Sequence, residues 1–285
     1  MPTPSRLVAL LAGLALLGDD SASRVPATVR PAAPMAWTAG VDGVEWSEVP
    51  LTGPRAVQRV RVVVARLDPT RLELGLEWSR TGFGRPAWTV ERLDPSAAFA
   101  VNAGMFVDGI PWGWVVQDGV ERLPPGTGPL SSTVAVTRDG RILWHDGDDL
   151  AALRSRTDLR IAFQSYPSLL VGDGQVPAPL RTGTAIDRTH RDARVALGRD
   201  AQGRLLVALT RFDAAIPGAD RLPIGLTVPE MAELMAALGA RQAVLLDGGL
   251  SAQVALRDAA GDLHRWSSLR RVPLALVAHA RTVTP

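Results

Sequence analysis

The sequence predicts an α+β fold, a mixed and largely antiparallel sheet with a few packed helices in a single domain. Three observations carry this. Short strand-like runs recur between Asp-Gly and Gly-containing turn signals, at Asp118-Gly119, Asp139-Gly140 and Ala260-Gly261-Asp262. One segment, Thr227 to Gly239, carries a full set of helix signals. No βαβ unit repeats along the chain, so a doubly wound parallel sheet is excluded.

In chain order, residues 57–67 and 72–78 alternate as strands, and Asp68-Pro69-Thr70 between them predicts a hairpin. Residues 89–93 suit a short helix, and residues 97–101 form a buried strand that ends at Asn102-Ala103-Gly104. Strands follow over 113–117, 132–137 and 141–144, then a helical stretch over 148–156 and a return over 161–170. Residues 181–193 are polar and unpatterned, as in an exposed loop. Residues 195–198 and 204–210 flank Asp200-Ala201-Gln202-Gly203 as a second hairpin.

The helix comes next. Thr227 with Glu230 three residues later is a capping box, Pro229 suits the first turn, and Gly239 suits the left-handed position after the last turn. Val228, Met231, Leu234, Met235 and Leu238 supply the apolar stripe. The run Ala243-Val244-Leu245-Leu246 reads as a strand covered on both faces, and it delivers Asp247-Gly248-Gly249 at its carboxyl end. Such a turn sets a carboxylate at a sheet edge and offers backbone amides to an anion or sugar; a plain Asp-Gly turn has the same letters. Residues 253–257 and 263–266 pair, and residues 272–279 form the last strand.

Composition bounds the function. The 285 residues are 46% hydrophobic and 21% charged, as in an ordinary globular protein, and the formal net charge is +2. The pI near 10.1 follows from the absence of Lys and Cys and the single Tyr, since little titrates between His and Arg. The arginines are dispersed among acids, so no nucleic-acid partner is expected. Without cysteine there is no disulfide framework and no thiolate zinc site. His145, His190, His264 and His279 share no ligand spacing, so no metal or other cofactor is assigned, with a carboxylate-bound calcium or magnesium ion left open.

Arg6 followed by the apolar run 7–17 has the length of a secretory signal, with cleavage expected near Ser21-Ala22-Ser23. The expected organisation is therefore a signal peptide over 1–23, a Pro/Ala-rich disordered spacer over 24–40, and one domain over 41–285. The protein is expected to be secreted or held in the periplasm or cell envelope, with no stable membrane insertion once the signal is removed.

Five stretches together resemble the phosphodiester glycosidase family from about Val41 to the C-terminus: NAGMF with DGIPWG after it, SYPSLLVGDGQV, ARVALGRDAQGRLLVAL, LTVPEMAELMAALGARQAVLLDGGLSAQV, and RRVPLALV. The chain departs from the family pattern at Ala103, where a glycine is usual, at Val195, where a threonine is usual, and at Leu250, where a third glycine is usual. The resemblance implies an exported hydrolase that cleaves the sugar–phosphate bond of glycosyl-1-phosphodiesters, with a glycosyl phosphodiester or polysaccharide as partner. The departures at Val195 and Leu250 motivate an alternative, a non-catalytic carbohydrate-binding protein of the same fold.

Expulsion of a phosphomonoester, whose second pKa is ~6, needs little acid catalysis, so a cation near the phosphate suffices. Arg194 is the candidate cation, because a guanidinium offers a planar fork to phosphate oxygens. Asp247 could steady an oxocarbenium-like centre, act as nucleophile or activate water. Asn102 offers donors and acceptors to a sugar or phosphate. Asp108, Asp187 and Asp192 are candidates for a second carboxylate. Substrate contacts are expected from Gly104, Gly248, Gly249 and Ser251, and from Trp112, which with Trp114 straddles Gly113 so that alternation would set both rings on one face.

Overall fold

The structure, a computed structural model, describes residues 28–281 except 80, 82–83, 129, 184–185, 215 and 217. The expected signal peptide, residues 1–23, lies outside the described residues. Strand-forming runs organise into three larger sheets and one small hairpin, and every registered pair is antiparallel. The largest sheet has the order Arg30–Pro31, Val44–Thr52, Val60–Leu67, Leu205–Phe212, Val195–Asp200, Ala240–Leu246, Ser168–Leu170, with Thr38–Ala39 also pairing to Val44–Thr52. A five-stranded sheet is ordered Leu263–Trp266, Val254–Arg257, Ala97–Asn102, Leu274–Ala280, Leu72–Trp78, and another carries Val115–Gln117, Ser132–Thr137 and Leu159–Ser165.

The period-2 alternation of strands divides the core. In Val60–Leu67, Val63, Ala65 and Leu67 point into a cluster shared by all three sheets, with Phe99, Val254 and Leu276 from one neighbour and Val134, Ile161 and Phe163 from the other. Val62 and Val64 of the same strand point the opposite way, onto Met231, Leu234 and Met235 of the helix Val228–Ala237. Fully burying a Leu or Val side chain is worth about 1.5–3 kcal/mol, so both layers contribute heavily to stability. Strand Ala240–Leu246 is covered on both faces as expected, Val244 and Leu246 in the first cluster and Ala243 and Leu245 in the second.

The helix forms where its signals place it. The Glu230 amide donates to the Thr227 hydroxyl (3.3 Å) and the Thr227 amide to the Glu230 carboxylate (2.9 Å). Gly239, at φ +89°, takes the left-handed position after the last turn.

Three expectations are corrected. The segments 60–67 and 72–78 are strands but not a hairpin: the Asp68 turn passes the chain from the largest sheet to a different one, where Leu72–Trp78 pairs with Leu274–Ala280. The spacer expected over 24–40 is ordered in its described part. Val29 is fully buried, the Ala32 amide donates to the Pro50 carbonyl (2.8 Å), and the Arg66 guanidinium lies 3.8 Å over the Trp37 ring. Residues 181–193 are not uniformly an exposed loop. They begin within the helix Ala178–Thr182 and end in Arg191, which pairs with Glu230 (2.6 Å), and in a half-buried Asp192. Among the described residues no helix is long and apolar enough to cross a membrane.

Candidate active site

Asn102 closes strand Ala97–Asn102, Asp247 follows strand Ala240–Leu246, and Arg194 precedes strand Val195–Asp200. The ends of these strands adjoin. Asn102, 1% exposed, donates from Nδ2 to the Asp247 carbonyl (2.7 Å) and accepts from the Gln253 amide (3.1 Å), so it clamps both sides of the D-G-G turn. The Asp247 amide donates to the Gly104 carbonyl (3.0 Å), and the Gly249 amide to the Ala193 carbonyl (2.7 Å). Asn102, expected to touch substrate, is thus consumed in fixing the turn.

The glycines have a steric reason. A Cβ on Gly248 would lie 2.5 Å from the Ala193 carbonyl oxygen, and one on Gly249, whose φ is +57°, would lie 2.7 Å from Asp192 Oδ2. Only a residue without a side chain lets the turn press against segment 192–194. The Gly249 amide is therefore not open to a ligand. Gly104 (φ +65°) likewise serves backbone packing, its Cβ position 3.2 Å from the Gln164 carbonyl.

This packing sets the Asp192 carboxylate against Gly249, near enough to Asp247 for its charge to act there. Asp247 Oδ2 is buried and has no hydrogen-bond partner. Burial pushes the Asp247 carboxyl up to about 6, the nearby Asp192 charge adds to this, and the Ser251 hydroxyl, the Arg270 charge and the Gly248 amide act in the opposite direction. Asp192 is also raised, by burial, against the Arg194 charge, the Ala193 amide and His190; His190 Nε2 stands 3.6 Å from its Oδ2. Of the three candidate second carboxylates, only Asp192 comes here. Asp108 occupies a left-handed position (φ +51°) in the 106–111 hairpin, and Asp187 accepts the Thr189 and His190 amides in an exposed turn.

Arg194 is 9% exposed, and its fork is mostly spent: Nε donates to the Leu226 carbonyl (2.9 Å) and Nη2 to the His190 carbonyl (2.7 Å). Burial lowers its pKa, which the Asp192 charge partly offsets. Val195, beside it, is fully buried in the main core, so the missing threonine hydroxyl is a change of packing. Ser251 is buried, and its hydroxyl serves Asp247.

Trp112 and Trp114 do not share a face. Gly113, at φ +82°, breaks the alternation between them; Trp114 is buried among Val116, Ala135 and Ala162, with Nε1 on Glu121 (2.7 Å). Trp112 instead meets Tyr166 edge to face, with centroids 4.6 Å apart, and its amide donates to the Met105 carbonyl (2.7 Å). Tyr166 is 38% exposed and sits beside the site, because Ser165 Oγ donates to the Leu245 carbonyl (2.6 Å) and the Leu245 amide to the Pro167 carbonyl (3.0 Å).

Two neighbours escaped sequence reasoning. Arg270 is exposed, its charge acts on Asp247, and its amide donates to the Leu250 carbonyl (2.9 Å). Tyr166 is the chain's single tyrosine and lies inside a stretch already marked by resemblance, which was an available signal. Among the described residues no cluster of three or more His, Asp or Glu side chains is placed to hold a metal ion. A cavity of about 910 Å³ lies along the helix Val228–Ala237, lined by Gln175, Leu180, Arg188, Glu233 and Arg241 among others, and neither Asp247, Asp192, Arg194 nor Arg270 borders it.

Two carboxylates near a glycine turn, an exposed cation and an aromatic pair thus stand on a sheet-rich scaffold. The family profile described as phosphodiester glycosidase matches residues 95–279, and the chain belongs to that family, which places it among hydrolases of that kind. The fold is similar to the catalytic domain of zebrafish N-acetylglucosamine-1-phosphodiester alpha-N-acetylglucosaminidase, auto-inhibited by its pro-peptide, with TM-score 0.61 and 17% identity over 89% of this chain and 89% of that one. It is also similar to a hypothetical protein from Synechocystis, with TM-score 0.57 and 16% identity over 88% of this chain; the match spans 64% of that longer chain. No curated protein sequence matches significantly.

Proposed function

We propose that the protein is an exported hydrolase that cleaves the bond between the anomeric carbon of a sugar and the phosphate of a glycosyl-1-phosphodiester in the cell envelope. The observation that carries this reading is the buried, unpartnered Oδ2 of Asp247, two residues from the Gly249 against which Asp192 packs. A buried carboxylate with one oxygen left without a hydrogen bond is stabilised by a positive charge, and the oxocarbenium-like centre supplies one in the transition state. Water attacks that carbon as the carbon–oxygen bond to phosphate breaks, the bonding pair leaves on the phosphate oxygen, and the water proton passes to Asp192. The Arg270 guanidinium faces the departing phosphate, while Arg194, expected for that task, braces the 190–194 segment through its two carbonyl contacts. Trp112 and Tyr166 offer faces and edges to the sugar ring.

The apolar run 7–17 after Arg6 supports export. The test is release of reducing sugar from a panel of glycosyl-1-phosphodiesters by the full chain and by Asp247→Asn. Turnover by the wild type and none by a folded variant is the expected result. Sugar binding without turnover across the panel would refute the hydrolase and favour the carbohydrate-binding alternative.

A further inference from the structure

Nine large apolar side chains are notably exposed among the described residues, and five of them, Ile216, Leu222, Ile224, Leu250 and Leu269, lie on the two segments that flank the carboxylate pair. Leu250 follows Gly249 directly and is 37% exposed. Leu269, 57% exposed, is held to it: the Leu269 amide (3.0 Å) and the Arg270 amide (2.9 Å) both donate to the Leu250 carbonyl. The second segment, 216–226, is fastened at Asp192, whose amide and carbonyl exchange hydrogen bonds with Leu226 (3.1 and 3.0 Å).

One buried guanidinium braces the first of these segments. Arg211 Nη2 donates to the carbonyls of Ser267 (2.7 Å) and Ala252 (3.0 Å). Burial lowers its pKa to about 10, and the Asp220 carboxylate, in the 219–221 turn, acts on it in the opposite direction. Exposed apolar side chains therefore stand on both segments beside the site, with the exposed Arg270 next to Leu269. Leucine and isoleucine clustered in water cost free energy unless a ligand covers them, and such rimmed patches mark binding surfaces.

We infer that these side chains form the subsite for the alcohol half of the substrate, and that the alcohol is an apolar chain: the phosphate sits at Arg270 and the hydrocarbon lies over Leu250, Leu269 and Leu222. This deepens the hydrolase reading and rests on it, since it takes the phosphate position from that reading. A polar alcohol, such as glycerol or a second sugar, would find no hydrogen-bonding partners on those side chains. An apolar one removes their surface from water, which is worth about 0.8 kcal/mol, or a factor of nearly 4, for each methylene covered.

The experiment uses the full chain and three phosphodiesters of one sugar 1-phosphate, esterified with methanol, glycerol or 1-octanol and kept below the concentration at which micelles form. Binding is read from tryptophan fluorescence in the wild type and in Leu269→Ser and Leu222→Ser; both positions are exposed, so the variants fold. The octyl ester is expected to bind at least 30-fold more tightly than the methyl ester, the glyceryl ester to match the methyl ester, and the octyl preference to fall about tenfold in each variant. Equal affinity for octyl and methyl esters would overturn the inference. So would an octyl preference that survives both substitutions, or a dimer in ultracentrifugation that dissolves on Leu269→Ser while the esters bind equally, which would assign these side chains to a second copy of the chain. Octyl preference without any sugar release would instead refute the hydrolase reading and leave the subsite standing.

Discussion

Replacing Asp247 by Asn should make the protein more stable at neutral pH while abolishing turnover. The magnitude follows from the carboxyl's displacement, from 3.8 to about 6, caused mainly by burial. Each pKa unit is about 1.4 kcal/mol, so the ionised form costs the folded state roughly 3 kcal/mol once both states have lost the proton. A raised carboxyl favours folding at low pH, and that advantage is complete below the unfolded value near 4. It disappears as pH rises through 6. Asn removes the charge and keeps the shape, so its advantage over the wild type should be negligible near pH 4 and grow to roughly 3 kcal/mol by pH 8. For a domain of this size the corresponding Tm difference is about 2–4 °C per kcal/mol. Thermal and urea unfolding of both proteins across pH 4 to 8 reads it directly. A variant whose stability difference does not change with pH, or that is less stable at pH 8, would refute the claim that this carboxylate is held against desolvation.

Three further outcomes follow from the clamped turn. Gly249→Ala puts a methyl 2.7 Å from Asp192 Oδ2 at a left-handed φ, so it should cost about 1–2 kcal/mol and lower kcat more than tenfold, measured by unfolding and sugar release. Asn102→Ala strands the Asp247 carbonyl and the Gln253 amide, and should destabilise the fold by about 2–3 kcal/mol in urea. Thr227→Ala removes the helix cap, a group that touches neither carboxylate; about 1 kcal/mol of stability should go, with kcat falling far less than in Gly249→Ala.

What could be read from the sequence was local in character. The capping box, the Gly239 stop and the Asp118-Gly119 and Asp139-Gly140 hairpins depend on residues a few positions apart, and all form as written. The Asp68 turn also forms, but which strand Leu72–Trp78 pairs with is decided some 200 residues later, at Leu274–Ala280. Residues 28–40 carry the composition of a linker, yet Val29 and Trp37 find burial and a cation only because a finished sheet stands beside them. The site divides in the same way. Asp247 could be singled out because it ends a doubly covered strand. Asp192 sits in a polar stretch with no periodicity and gains its position from the steric gap above Gly249. Arg194 looked like a phosphate ligand because its type fits one, whereas the fold directs its fork to the Leu226 and His190 carbonyls.

The most direct test of the central claim is to run hydrolysis of a methyl glycosyl-1-phosphodiester in ¹⁸O-water and weigh the released methyl phosphate. Attack at the anomeric carbon, the step assigned to the Asp247 and Asp192 pair, predicts methyl phosphate free of the label at every time point, with the heavy oxygen entering the sugar. Label in the phosphate would mean that the phosphorus–oxygen bond breaks instead, and would contradict the account.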